Sequence, residues 1–283
     1  MSKSSPGRAT HLARLRWAVT ALSLVVTAAG AVGISHAVRM SEESALADTV
    51  KLELGIVERL VNTAFVGRLS ALEGLSLRWN PRLDPDREGL KRELRQFLKA
   101  FPDLTAAAWI ALDGKIEWVE ATFDGPLLEG GSIEAPINEV IGQARATGRF
   151  ISPIHRYGQD GPGIAISLIM GPEDLEAGLM TVRINLERMM RRVLEREEQL
   201  GFRFLVKAGD DLVFAGSQWD DSDLTVPAAF RSVARSGDVS LGPNLLTVTV
   251  IPSDRIIAAH ISFLPDVLLI SGGLLAVILA AVA

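Results

Sequence analysis

The chain of 283 residues contains no cysteine. Disulfides, thiolate nucleophiles and cysteine-based metal sites are thereby excluded. Histidine is scarce as well. His11 and His36 fall in the N-terminal tail and the first apolar block, which leaves His155 and His260 for any external chemistry. No G-x-S-x-G, H-E-x-x-H or G-x-x-x-x-G-K-[ST] pattern occurs. The run Gly158 to Gly163 resembles a phosphate loop only superficially, because it contains Pro162 and a β-rich stretch follows it, so no helix N-terminus is offered to an anion. Asp220-Asp221-Ser222-Asp223 could offer carboxylates to calcium but lacks the twelve-residue EF-hand pattern. No repeat of fixed period and no low-complexity segment is present. The net charge of −5 gives no argument for a nucleic-acid partner. The expectation is a chain with no catalytic activity, no cofactor and no metal site of its own.

What is present is uneven hydrophobicity. Residues 1–16 form a basic tail, with Lys3, Arg8, Arg14 and Arg16 and no acids, while the rest of the chain is acidic. Trp17 to Val38 then runs for about one bilayer thickness as a helix without a formal charge. Basic residues precede it, Arg39, Glu42 and Glu43 follow, and the positive-inside rule puts the N-terminus in the cytoplasm and residue 40 outside. The rival reading is a cleaved signal peptide ending near Ser35-His36-Ala37, although signal cores usually run only about 7–15 apolar residues. A second apolar block, Val267 to Ala283, follows Pro265-Asp266. It is expected to be an incomplete second transmembrane helix over 266–283, or a C-terminal tail anchor. Residues 39–265 then form one extracytoplasmic domain held at both ends.

Within that domain, Leu54, Val57, Val61, Phe65, Leu69, Leu72 and Leu75 recur at helical spacing, and no proline interrupts 41–79. Such a helix can pack on its own domain, on a second copy, or on both. Asp84 and Pro85 suit the start of a second helix ending near Ala100. Leu104–Leu112 and Lys115–Phe123 flank Asp113-Gly114, a strong hairpin signal. A helix over 133–147, a strand over 150–155, paired strands over 164–170 and 178–185, and a helix over 186–200 follow. The remainder predicts a hairpin of 202–208 with 212–215, a short helix at 227–235, and a last strand over 245–251 that passes through Pro252 into the membrane helix. Antiparallel strands with segregated helices mean an α+β fold.

The runs LEGLSLRW at 72–79, ELRQFLKAFPDLTAAAWIALDGKIEWV at 93–119 and ISPIHRYGQDGPGIAISLIM at 151–170 resemble the CHASE-like sensor domains of bacterial receptors. GLMTVRINLERMM at 178–190, FRFLVKAGDDLVFAG at 202–216 and LLTVTVIPSDRIIAAHISFLPD at 245–266 continue the resemblance over almost all of the external domain. It implies PAS-like antiparallel sheets on a long N-terminal helix, flanked by two transmembrane helices. It also implies a homodimer in the bacterial inner membrane, with its sensor domain in the periplasm or outside the cell. The partners expected are a small-molecule ligand and the membrane. Output by a histidine kinase or diguanylate cyclase would lie outside these residues, which hold no GGDEF run and no phosphoacceptor or nucleotide-binding motif. The competing reading is a two-span envelope protein that organises a homo-oligomeric assembly.

Aromatic walls with one or two directed charges are what a small-molecule pocket needs. Trp109, Trp118, His155, Arg156, Tyr157 and Arg183 are the candidates. Arg183 stands in an apolar strand, where an unpaired charge would be costly, so it calls for an acidic partner or a ligand. Its guanidinium fork suits a carboxylate. Trp109 and Trp118 also read as core residues, and His155-Arg156-Tyr157 as a polar strand end. Gly272-Gly273 gives the second membrane helix a small face for close packing.

Overall fold

The computed structural model describes residues 7–79, 87–121, 137–157, 161–171, 178–217, 219, 226–227 and 230–282. The helices are α1 (Gly7–Arg78), α2 (Arg87–Ala100), α3 (Ile137–Thr147), α4 (Leu186–Gln199), α5 (Asp254–His260) and α6 (Leu264–Val282). The strands are β1 (Leu104–Ile110), β2 (Ile116–Ala121), β3 (Arg149–Ile151), β4 (His155–Arg156), β5 (Pro162–Met170), β6 (Gly178–Asn185), β7 (Phe202–Ala208), β8 (Asp211–Ala215), β9 (Arg235–Leu241) and β10 (Asn244–Pro252). The expected features at Asp84-Pro85, at 122–123, at 133–136, at 172–177 and at Asp220–Asp223 lie outside the described residues. The chain divides into two compact units, one of residues 51–251 and one of 1–50 with 252–283.

The larger unit is the predicted α+β fold. Its share of α1 buries all seven residues of the helical stripe, from Leu54 through Leu75. Each such side chain contributes about 1.5–3 kcal/mol on leaving water. The first sheet has the order β2-β1-β6-β5-β3, with β4 also on β5. Its strands pair antiparallel throughout the described residues. The second sheet has the order β8-β7-β10-β9. Helix α4 joins them. Asn185 caps it by accepting a hydrogen bond from the Arg188 amide at 2.8 Å, and Leu186, Met189, Met190 and Leu194 point inward. An almost fully buried ion pair, Arg68 with Asp103, ties α1 to the turn that opens β1.

Three expectations are corrected. The strand expected over 150–155 is two short strands, because Pro153 has no amide to donate to the ladder. Ser152 bridges the gap: its amide donates to the Ala165 carbonyl and its hydroxyl accepts from the Ala165 amide, both at 2.8 Å. Of the helix expected at 227–235, residues 228–229 lie outside the described residues, Phe230 to Ala234 form a tight turn, and Arg235 opens β9, a strand not anticipated. The last strand does not feed one continuous helix either. Helices α5 and α6 are separated at Ile261–Phe263 and meet at a bend of 51°.

In the smaller unit, the apolar block starting at Trp17 belongs to α1, where it is long and apolar enough to cross a membrane. Between Ala31 and Glu42 one face of α1 meets α6 and the turn before it, running antiparallel. Ser35 donates to the Pro265 carbonyl at 3.0 Å, Arg39 pairs with Asp266 at 3.2 Å, and the Ser262 hydroxyl meets Glu42. Gly272 is needed at this contact, since a Cβ there would lie 2.5 Å from the Ala31 methyl. Gly273 faces open space.

Candidate functional site

Neighbouring residues across a sheet share a face, and successive residues alternate. Register therefore decides which candidates can meet. Trp109 pairs with Trp118 on one side and Met180 on the other. Arg183 pairs with Ala106 and Ala165. Residues 180 and 183 are an odd number apart on β6, so the sheet separates the two tryptophans from the arginine.

The tryptophan face is core. The Trp79 ring meets Trp109 edge-on at 4.9 Å, and Trp118 stacks at 6.5 Å on the other side. Lys91 of α2 lies over Trp118 at 5.8 Å, and Arg95 of α2 holds Glu120 at 2.7 Å, which fixes α2 on this side.

The opposite face is built differently. Its centre is Ala106, Ala108, Ala165, Ser167 and Thr181, small residues where buried strands usually carry Val, Ile or Leu. Ser167 and Thr181 satisfy each other across the strands at 2.7 Å. At one end Phe150, Ile110 and Leu179 pack with Val140, Ile141 and Ala144 of α3. At the other end stands Arg183, only 8% exposed. Its Nε donates to the Thr105 hydroxyl at 2.7 Å, and its guanidinium lies 4.7 Å from the centre of the Tyr157 ring. A β-bulge between Leu104 and Ala106 sets Thr105 where it meets this face.

Tyr157 reaches Arg183 by crossing β5 at Gly163. A Cβ there would lie 2.6 Å from the Ile184 carbonyl and 3.1 Å from the tyrosine ring. The Tyr157 amide donates to the Gly161 carbonyl at 3.0 Å. His155, paired with Gly163, stands edge-on to Tyr157 at 6.4 Å. Arg156 pairs with Pro162 and is exposed.

The structure therefore brings together Arg183, Tyr157 and His155, sets Trp109 and Trp118 on the reverse face, and leaves Arg156 in solvent. Thr105, Ser167 and Thr181 were missed from sequence. The signal available was the small-residue content of TAAA at 105–108 and AIS at 165–167, in strands otherwise rich in bulky residues. Among the described residues no group of three or more His, Asp and Glu could hold a metal ion.

No family model and no curated protein matches the sequence. Solved structures do match. The fold is that of ligand-binding sensor domains. The ligand-binding domain of the Pseudomonas fluorescens chemoreceptor CtaA, in complex with L-isoleucine, is 12% identical with a TM-score of 0.52, over 79% of this chain and 98% of that one. The ligand-binding domain of the Pseudomonas aeruginosa PAO1 amino-acid chemoreceptor PctB, with L-Arg, is 13% identical with a TM-score of 0.52, over 77% and 99%. The extracellular domain of vpHK1S-Z8, assigned as a histidine kinase, is 12% identical with a TM-score of 0.54, over 78% and 95%. These likenesses establish the PAS-like α+β sensor fold.

Proposed function

We propose that the chain is the ligand-sensing input module of a bacterial transmembrane receptor, of the CHASE-like kind its sequence resembles. The observation that carries this reading is the small-residue face of the first sheet, ended by a buried arginine under an aromatic ring. A floor of alanine, serine and threonine fills less volume than the Val, Ile or Leu that a buried strand usually carries. Arg183, with Thr105 holding its Nε and Tyr157 over its guanidinium, is the charged group of this face, of the type that pairs with a carboxylate, and His155 stands beside the ring. The ligand class that fits is a small molecule carrying a carboxylate. Trp109 and Trp118 act from the reverse face, as the packing that sets where β1 and β2 lie.

The module sits outside the inner membrane, anchored by residues 17–38 and by a second span within 266–283. Ligand binding favours one of two arrangements through differential affinity, and the shift reaches a cytoplasmic output through the second span. The receptor works as a homodimer. Ile56, Leu60, Thr63, Gly67, Ser70, Gly74 and Leu77 alternate at spacings of four and three along α1 without a single charge. Leu60 is 36% and Leu77 85% exposed, where a solvated helix face would carry charges. Two copies anchored by the same helix present this stripe in parallel and at the same height.

The test is thermal unfolding of the full chain in lipid nanodiscs against a panel of L-amino acids and short dicarboxylates. At about 100-fold excess over Kd, a true ligand adds about 2.7 kcal/mol of stability. The expected result is a rise for at least one compound that disappears in Arg183→Ala. A flat response across the panel, together with large homo-oligomers, favours the assembly reading instead.

A further inference from the structure

Glu53 of α1 and Glu197 of α4 have no part in the ligand face, yet both are 7% exposed and they point at each other. The Glu53 carboxyl stands against that of Glu197. Its Oε1 is buried, with no hydrogen-bond partner among the described residues. Among the described residues no cation acts on Glu53. On α1, Lys51 and Arg59 are exposed, and Glu58 lies against Gly237 of β9. On α4, Arg196 is exposed and Glu198 accepts from the amide and hydroxyl of Ser217. On β9, Asp238 accepts from the Thr247 hydroxyl. Glu197 is the charged neighbour that raises Glu53.

Two buried carboxylates set against each other cannot both be ionised at low cost, so Glu53 keeps its proton beside Glu197. We propose that Glu53 and Glu197 form a proton-operated clasp between α1 and α4, closed by the Glu53 proton and opened by its loss as the external medium turns alkaline. The ligand of this second site is the proton itself. The clasp rests on the packing of α4 against α1 and not on the small-molecule face. A chain blind to every compound in the panel would leave it standing.

Burial, and after it the Glu197 charge, raises the Glu53 carboxyl from 4.5 to about 7. The folded state therefore holds the proton more tightly than the unfolded chain. Stability from the clasp is fully present below 4.5 and is lost as pH rises through about 7. This is the reverse of an ordinary ion-paired glutamate.

The experiment is the melting temperature of the full chain in nanodiscs between about pH 5 and 8, paired with infrared spectroscopy of the protonated carboxyl C=O stretch. The expected result is a fall of several degrees with rising pH and a carboxylic-acid band that persists near neutrality. Both should vanish in Glu53→Gln, whose amide donates to Glu197 at every pH, and both should survive His155→Gln and His260→Gln. Glu197→Gln gives the same reading from the other side should Glu53→Gln fail to fold. A pH slope unchanged in the Gln variants, or no acid band in the wild type near neutrality, overturns the proposal.

Discussion

Replacing Asp103 by Ala tests the argument that links the long helix to the ligand face. Arg68 grips Asp103 through two donors, Nη2 reaching Oδ1 at 2.8 Å and Nε meeting Oδ2. Its remaining Nη1 donates to the Ala64 carbonyl at 2.6 Å, and Phe101 lies 5.6 Å under the guanidinium. The Asp103 side chain is 1% exposed and that of Arg68 is 8% exposed. The Asp103 carbonyl accepts the Asn185 amide at 2.8 Å, so the same turn also fixes the joint between β6 and α4. Removing the carboxylate strands a buried guanidinium, which typically costs 3–5 kcal/mol. In a domain of this size each kcal/mol lowers Tm by about 2–4 °C, so Asp103→Ala should melt roughly 10 °C earlier. Arg68→Met with Asp103→Leu removes both charges and should recover most of that loss, because a packed apolar pair replaces a desolvated ionic one. The assay is thermal unfolding followed by circular dichroism, arranged as a double-mutant cycle. A loss under about 1 kcal/mol in Asp103→Ala, or single-variant losses that simply add, would refute the reasoning. Thr105 lies two residues along the strand from Asp103, so the same variant should also weaken any response that depends on Arg183.

Gly163→Ala should cost about 1–3 kcal/mol by forcing a methyl into the Ile184 carbonyl and the Tyr157 ring. Denaturant unfolding measures the loss, and a stability equal to wild type would show that the ring does not need that approach. Leu60→Lys places a charge in the uncharged stripe of α1, and crosslinking or light scattering in nanodiscs should then show monomer where the wild type shows dimer.

Much of the fold was legible because it follows from local chemistry. The stripe from Leu54 to Leu75, the Asp113-Gly114 hairpin and the paired apolar strands β5 and β6 each carry one dominant periodicity or turn signal. Strand β9 carries neither. Its residues Arg235, Ser236, Gly237 and Asp238 read as a polar loop, and only Val239 and Leu241 are buried. Its identity comes from pairing with β10, a long-range fact. The split between β3 and β4 could have been suspected from Pro153. The break between α5 and α6 has no comparable marker, since Pro265 lies inside the first turn of α6, where proline is well tolerated. The site divides the same way. Arg183 stood out as a charge in an apolar strand. Ser167 and Thr181 did not, because hydroxyls in strands usually face water. Whether Trp109 shares a face with Arg183 depends on counting through paired strands and past a bulge, and no single segment contains that information.

The aromatic residues have been sorted by the sheet in a way that serves spectroscopy. The chain has one tyrosine and five tryptophans. Tyr157 stands over Arg183 on one side of the first sheet, while Trp79, edge-on to Trp109, and Trp118, stacked on it, form a cluster on the other. The protein thus carries a donor and a cluster of acceptors for resonance energy transfer across the thickness of one sheet, without any attached dye. A guest that lifts the phenol ring away from the guanidinium would change how much tyrosine excitation emerges as indole emission. Occupancy of that face is written into the native emission spectrum.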